Sequence, residues 1–260
     1  MHYDTSFPAF STRFIPVWRR NFLVWKKLAG SSILGNIADP MISLMAFGFG
    51  LGSLLPSVGG VPYIQFLAAG TVCMSTMNAA TFESLYSAFS RMHVQRTWDG
   101  IMNAPVSLED VVLGELTWAA SKAFLSGLAI MIVVWIMGLA GGPQSALVLG
   151  VVVLVGVTFS AIGLVVNALA HAYDTFTYYF TLVVTPMAFV SGVFFPVAQL
   201  PAWLRAISEF LPLSHAVALA RPLLLGQWPQ APLLHIAVLL LYTVVAAYVA
   251  IVLTRRRLLS

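Results

Sequence analysis

The 260 residues carry 60% hydrophobic side chains and only 8% charged ones, with 13 Lys and Arg against 9 Asp and Glu and a formal net charge of +4. A water-soluble domain of this size needs far more polar surface, so the composition excludes one and points to a chain that crosses a membrane several times. The apolar runs are continuous and lack the period-two alternation of lipid-facing strands, which argues against a β-barrel, and the expected fold class is an all-α polytopic membrane protein.

In chain order, residues 1–32 are expected to form a cytoplasmic N-terminus without a cleavable signal peptide, because basic residues and tryptophans precede the first apolar run and no small-residue cleavage site follows it. Within this segment, Phe14, Val17, Trp18, Phe22, Trp25 and Leu28 gather on one side of a helix, and Arg13, Arg19, Arg20, Lys26 and Lys27 on the other. Leu23 and Pro16 interrupt the basic side. This sorting predicts an amphipathic interfacial helix in the headgroup plane, its rings in the acyl boundary and its cations near anionic lipid phosphates. The competing account is a basic flank that only sets topology.

A helix crosses about 30 Å of hydrocarbon with roughly 20 apolar residues. Apolar spans are predicted at 33–55, 63–90, 111–139, 146–170, 174–196 and 233–254, which makes 33–260 a six-helix transmembrane domain. Arg13, Arg19, Arg20, Lys26 and Lys27 precede the first span, Arg91 and Arg96 follow the second, and Arg255, Arg256 and Arg257 follow the sixth. In a six-span topology all of these fall on one face, against Arg205 and Arg221 on the other, so both termini are expected in the cytoplasm. Asp39 and Pro40 read as a helix start where the first span enters the membrane, and Gly48 with Gly52 matches the G-x-x-x-G spacing of close helix approach.

Between the second and third spans, residues 91–108 form a polar, turn-bearing interruption expected to face a cytoplasmic partner. Glu83, Glu115 and Lys122 are charges within or beside apolar spans, costly unless paired. Because the second and third spans run antiparallel, Glu83 and Lys122 are expected to meet as a structural ion pair, with a proton relay or substrate contact as the alternative. Among the methionines and aromatics of the second and fifth spans, Met74, Phe82, Tyr86, Tyr178 and Phe180 are candidates to line a path for a sugar or lipid, with core packing or lipid contact the competing reading. Residues 197–232, including Pro212, His215 and Arg221, are too broken by proline to cross and too apolar to be a solvated loop. Re-entrant or interfacial helices on the outer face are expected there, one opened by Pro201 and another capped by Ser214.

The sequence has no G-x-x-x-x-G-K-[ST] phosphate cradle and no G-x-S-x-G elbow. Its five histidines, His2, His93, His171, His215 and His235, are scattered, with no pair at i, i+3 or i, i+4, so no metal site and no catalytic group is nominated. Cys73, the single cysteine, reads as a free buried thiol.

The segments VWRRNFLVWKK, ATFESLYSAFSRM, QRTWDGIMNAPVSLEDVVLGE, VVTPMAFVSGVFFPVAQLP, LPLSHAVALARPLLLG and LTRRRLLS, collinear over the chain, resemble bacterial ABC type-2 exporter permeases. The likeness is greatest to the NodJ-type permeases of nodulation lipo-oligosaccharide export. The resemblance implies a permease in the bacterial inner membrane that binds no cofactor itself. By the same resemblance it pairs with a second copy, docks two ABC ATPase subunits that hold ATP and Mg, and moves a lipid- or acyl-saccharide cargo, with no nucleic-acid partner; a hydrophobic drug or other lipid is the alternative cargo, and a membrane-embedded enzyme acting on lipid or glycan is the reading from a different class, for which no acid, base or metal cluster is found. It also implies a docking surface made by the amphipathic helix, with Trp18, Arg19, Arg20, Trp25, Lys26 and Lys27, and by a coupling helix within Val94 to Pro105. Arg96, Trp98 and Asp99 are then the candidate ATPase contacts, with Pro105 and Ser107 turning the chain into the third span.

Overall fold

The computed structural model describes residues 11–55 and 57–258, without the side chains of Ser31, Ile33, Asn36, Ile37 and Asp39. The apolar runs fold as helices, which satisfy their own backbone N–H and C=O groups where no water can. α1 (Phe14–Lys26) leads into α2 (Ala29–Leu54), a hairpin of β1 (Ser57–Val58) and β2 (Val61–Pro62), and α3 (Tyr63–Phe82). α3 continues without a break through two π-helical segments, Glu83–Ser87 and Ser90–Val94, before a short α4 (Thr97–Met102). Then follow α5 (Leu108–Ile136), α6 (Val148–Leu169), α7 (Asp174–Tyr179), a π-helical segment Phe180–Val184, α8 (Thr185–Val190), α9 (Ala202–Ser208), α10 (Pro212–Leu224) and α11 (Pro232–Leu258).

Two expectations change, and the mostly helical fold gains one short hairpin. Across β1 and β2, Ser57 pairs with Pro62 and Val58 with Val61. Gly59 and Gly60 lie between them with φ of +61° and +82°, the two-residue turn whose twist suits an antiparallel hairpin and whose backbone glycine adopts without strain. Asp39–Pro40 does not start a helix, because α2 begins ten residues earlier at Ala29 and runs through Pro40. The Asp39 side chain lies outside the described residues. Ser214 does not cap α10 either: the helix starts at Pro212, whose missing N–H costs nothing in a first turn, and Leu211 sits at the cap.

Among the described residues, three helices have both the length and the hydropathy to cross a membrane, Leu108–Ile136, Pro143–Leu169 and Pro232–Leu258. The Pro40–Leu54 part of α2 is apolar but shorter. α6 lies at the centre, packed on α3, α5 and α11, and the core between them includes Leu67, Met77, Met131, Val152, Phe159 and Leu239. α2 lies against α3, and Gly48 permits that approach, since a Cβ there would meet Ile64 Cγ1 at 2.8 Å.

α1 lies along α5. Their contact closes at Gly114, where a Cβ would come within 2.6 Å of Val17 Cβ and 3.1 Å of the Phe14 carbonyl oxygen. Gly114→Val is therefore expected to lever α1 off α5 at a cost of about 1–3 kcal/mol. Faster tryptic cleavage at the exposed Lys26 and Lys27, together with a lower Tm, would register this; unchanged cleavage would mean that α1 is held elsewhere.

Candidate functional site: a polar network beneath α4

Glu83 and Arg91 are eight residues apart, a spacing that a regular α-helix leaves about 80° out of line. A π-bulge inserts one extra residue into the ladder, so that eight residues act as seven and both side chains return to one face. The segment Glu83–Ser87 provides that bulge.

The Arg91 guanidinium then reaches two carboxylates. Its Nε donates to both Glu115 oxygens at 3.0 Å, and its Nη2 donates to Glu115 and, at 3.0 Å, to Glu83 Oε1. Lys122 Nζ holds Glu83 Oε2 at 2.7 Å, the ion pair expected between the second and third apolar spans. Two indoles complete the network: Trp118 Nε1 donates to Glu83 Oε1 at 2.8 Å and Trp98 Nε1 to Glu115 Oε1 at 3.2 Å. The carboxylates are almost fully buried, with side-chain exposures of 3% for Glu83 and 1% for Glu115. Arg91, which sequence reasoning counted only as a topological charge, is the centre of the cluster.

This geometry assigns different parts to the predicted coupling residues. Arg96 and Asp99 are exposed, Arg96 in a left-handed conformation at φ +48° just before α4. Trp98 is only 1% exposed and points inward to Glu115, so it anchors α4 rather than offering its ring to a partner. Ser107 is the N-cap of α5 in a reciprocal capping box with Asp110, and the Pro105 carbonyl accepts from Arg13 Nη1 at 2.6 Å. Ser11 Oγ also donates to Asp110, at 2.7 Å, so the chain before α1 is tied to the start of α5.

The rings of α1 are half-buried against α5. Trp18 stacks on Phe22 at 5.6 Å, Phe22 and Trp25 pack edgewise on Trp118, and Trp18 Nε1 donates to Ser121 Oγ at 3.0 Å. Val17 is buried as well. Arg19, Lys26 and Lys27 are exposed, as are Ile15, Leu23 and Val24, and Arg20 is half-buried with its Nη2 donating to Thr97 Oγ1 at 3.3 Å. The aromatic face of α1 thus packs in part on α5.

Of the five candidate path residues, Met74, Phe82 and Phe180 line one cavity of about 210 Å³ together with Asn78 and the hydroxyls of Ser75 and Ser126, which lie 3.1 Å apart. Tyr86 adjoins it by stacking on Phe82 at 4.7 Å. Tyr178 faces outward and joins neither.

At the opposite end, Arg221 lies over the Phe66 ring at 3.6 Å and donates to the Gly192 and Phe66 carbonyls, fastening α10 to α3 and to the turn after α8. Folding also joins two histidines that the sequence scattered, His215 Nδ1 and His235 Nδ1 at 2.8 Å, with His215 Nε2 against the Glu209 carbonyl. Two terminal arginines have structural partners that sequence reasoning missed. Arg255 Nε donates to Glu109 at 2.7 Å, and Arg257 Nη1 donates to the Asn167 and Ala168 carbonyls at the end of α6.

Arg91→Leu leaves two carboxylates buried without their shared cation, at an expected cost of about 3–5 kcal/mol. Arg91→Lys keeps the charge but not the fork and should lose less. The yield and Tm of purified protein rank the two, and equal behaviour would contradict the bridging geometry.

Residues 12–225 match the model of the ABC-2 type transporter family. The nodulation protein J of Rhizobium leguminosarum biovar viciae is 48% identical over 252 residues, covering 97% of each chain. Its counterpart in Sinorhizobium fredii is 46% identical over 99% of this chain and 98% of its own length. The inner membrane transport permease YadH of Escherichia coli is more distant, 22% identical over 78% of each chain. A family match across most of the chain and relatives of near-equal length agree with a helical bundle rich in apolar helices, and the chain belongs to the ABC-2 type transporter family.

Proposed function

We propose that this chain is the permease subunit of an ATP-driven exporter that moves an amphipathic lipo-oligosaccharide or lipid-linked glycan outward across the bacterial inner membrane. The observation that carries the reading is the continuous link from α4 through Trp98, Glu115 and Arg91 to Glu83. A short surface element whose interior side is wired to two long helices is what a subunit without its own nucleotide site needs to receive motion from a partner.

In this reading the chain crosses the membrane six times with both termini in the cytoplasm, α9 and α10 are re-entrant or interfacial elements on the outer face, and two copies assemble. Two ABC ATPase subunits with their ATP and Mg dock against α1 and residues 91–108, and Asp99 and Arg96 offer them charge. The cavity at Met74, Phe82 and Phe180, with its hydroxyl pair and Asn78, supports a path able to meet both the acyl and the sugar parts of a cargo. Relatives named nodulation protein J support a cargo used in nodulation, and with the resemblance to lipo-oligosaccharide permeases this favours the saccharide-bearing cargo over a hydrophobic drug or a plain lipid.

Asp99→Lys is expected to leave insertion, pairing of copies and ATP hydrolysis intact while lowering export roughly tenfold, the scale of an ordinary coupling free energy. The measurement is uptake of a lipo-oligosaccharide into inverted vesicles containing this chain and its ATPase, with hydrolysis followed in parallel. Normal export by the variant would remove Asp99 from the transmission path. Failure of the chain to co-purify with any ATPase would remove the exporter reading itself.

A further inference from the structure

Beneath α1 lies a cavity of about 160 Å³ bounded by Arg20, Asn21, Trp25, Arg91, Trp118 and Lys122, with Glu83 in its wall. The volume equals that of about five waters. Its donors outnumber its acceptors. Asn21 is only 3% exposed, and its Oδ1 accepts from Arg20 Nη1 at 3.0 Å, which turns the amide nitrogen away; that buried Nδ2 has no hydrogen-bond partner. Arg91 uses Nε and Nη2 on the carboxylates, and Lys122 directs one of its three protons at Glu83. Both Glu83 oxygens are already taken, Oε1 by Arg91 and Trp118 and Oε2 by Lys122.

The charges do not balance either. Arg20, Arg91 and Lys122 face Glu83 and Glu115, and no carboxylate among the described residues lies within ion-pair distance of Arg20. Burial, and then the adjacent Arg91 charge, hold the Arg20 guanidinium below its ordinary pKa, against a smaller opposing pull from the Glu115 carboxylate. A half-buried surplus cation beside an orphaned amide donor is complete only with an anion. Next to the cavity, and sharing Arg20 and Val24 with it, runs a groove along the outer side of α1 lined by Ile15, Leu23, Arg19 and Lys27. An apolar strip edged by cations suits a lipid that carries its phosphate into the cavity.

We propose that this cavity binds one phosphate group, supplied by the headgroup of an anionic phospholipid in the cytoplasmic leaflet. The choice of leaflet rests on the reading of α1 as a cytoplasmic surface helix; the oxyanion chemistry does not. The bound phosphate accepts from Asn21 Nδ2, Arg20 and Lys122, and so clamps α1 to the network that holds Trp98.

The test uses the full chain, purified in detergent and stripped of lipid, titrated with phosphatidylglycerol, phosphatidylcholine or inorganic phosphate, with retained lipid counted by native mass spectrometry and Tm recorded. The wild type is expected to retain one phosphatidylglycerol and to melt higher with it than with phosphatidylcholine. Arg20→Gln should weaken retention roughly fivefold, one basic residue's share of attraction to an anionic lipid. Asn21→Asp, which supplies the missing negative charge from within, should abolish retention yet keep the lipid-free Tm. Lys26→Gln, on the exposed side of α1 and outside the cavity, should change nothing. Equal loss in Lys26→Gln and Arg20→Gln, or no preference for phosphatidylglycerol in the wild type, would overturn the site. Stabilisation by inorganic phosphate alone, without lipid selectivity, would keep the oxyanion site and overturn its lipid source. No ATPase or transport is involved, so failure here is separable from failure of the exporter reading.

Discussion

One guanidinium, that of Arg91, sits between two carboxylates that belong to different helices and are both almost closed to solvent. Neither Glu83 nor Glu115 is tolerable in such surroundings alone, because the desolvation of an unpaired carboxylate exceeds what most single contacts return. The shared cation is therefore a constraint on everything near it. It fixes the register of the π-helical end of α3 against α5, which brings Lys122 to the free oxygen of Glu83 and leaves positions for two indole N–H donors. Trp118 takes one and carries the aromatic stack of α1 on its other side; Trp98 takes the second and ties down α4. The π-helical end of α3, α4 and α1 thus meet at one buried electrostatic centre.

The same centre explains why α1 presents the face it does. A helix with tryptophans on one side and lysines on the other satisfies the hydrophobic effect equally well by laying its rings in lipid or against another helix. What tips the choice is complementarity with α5: a glycine at 114 lets the backbones close, Ser121 accepts the Trp18 N–H, and Trp118 offers a ring at right angles to Phe22. The outward side of α1 is left with a mixture of cations and short apolar side chains. At the far end of the molecule, Arg221 on the Phe66 ring plays a comparable fastening part, using a ring face and two carbonyls.

Helices were legible from composition because a run of some twenty apolar residues has few alternatives in a membrane, and the predicted apolar runs overlap α2, α3 with its π-helical continuation, α5, α6, the α7–α8 pair and α11, of which three among the described residues are long and apolar enough to cross. The Glu83–Lys122 pair was legible too, since antiparallel neighbours bring charges at matching depth together. Arg91 was not, because an α-helical wheel sets it about 80° from Glu83 and only a π-bulge realigns them. The inward turn of Trp98 escaped for a related reason: its partner, Glu115, lies seventeen residues on, across a loop whose path no periodicity describes. His215 and His235 show the limit plainly, twenty residues apart in sequence and 2.8 Å apart in space.

By itself the sequence determined that this protein lives in a membrane as a set of helices and that its polar middle segment stands apart from the apolar runs, because hydropathy and helical period are local properties summed over a few turns. Tertiary structure decided that the middle segment is anchored from within by Trp98 and Arg91, and that α1 packs its rings partly on α5 above a cavity lined by Arg20, Arg91 and Lys122. Those outcomes depend on which side chains meet across helices. They are fixed by packing, desolvation and hydrogen-bond balance at contacts between residues far apart in the chain, where composition and period carry no information.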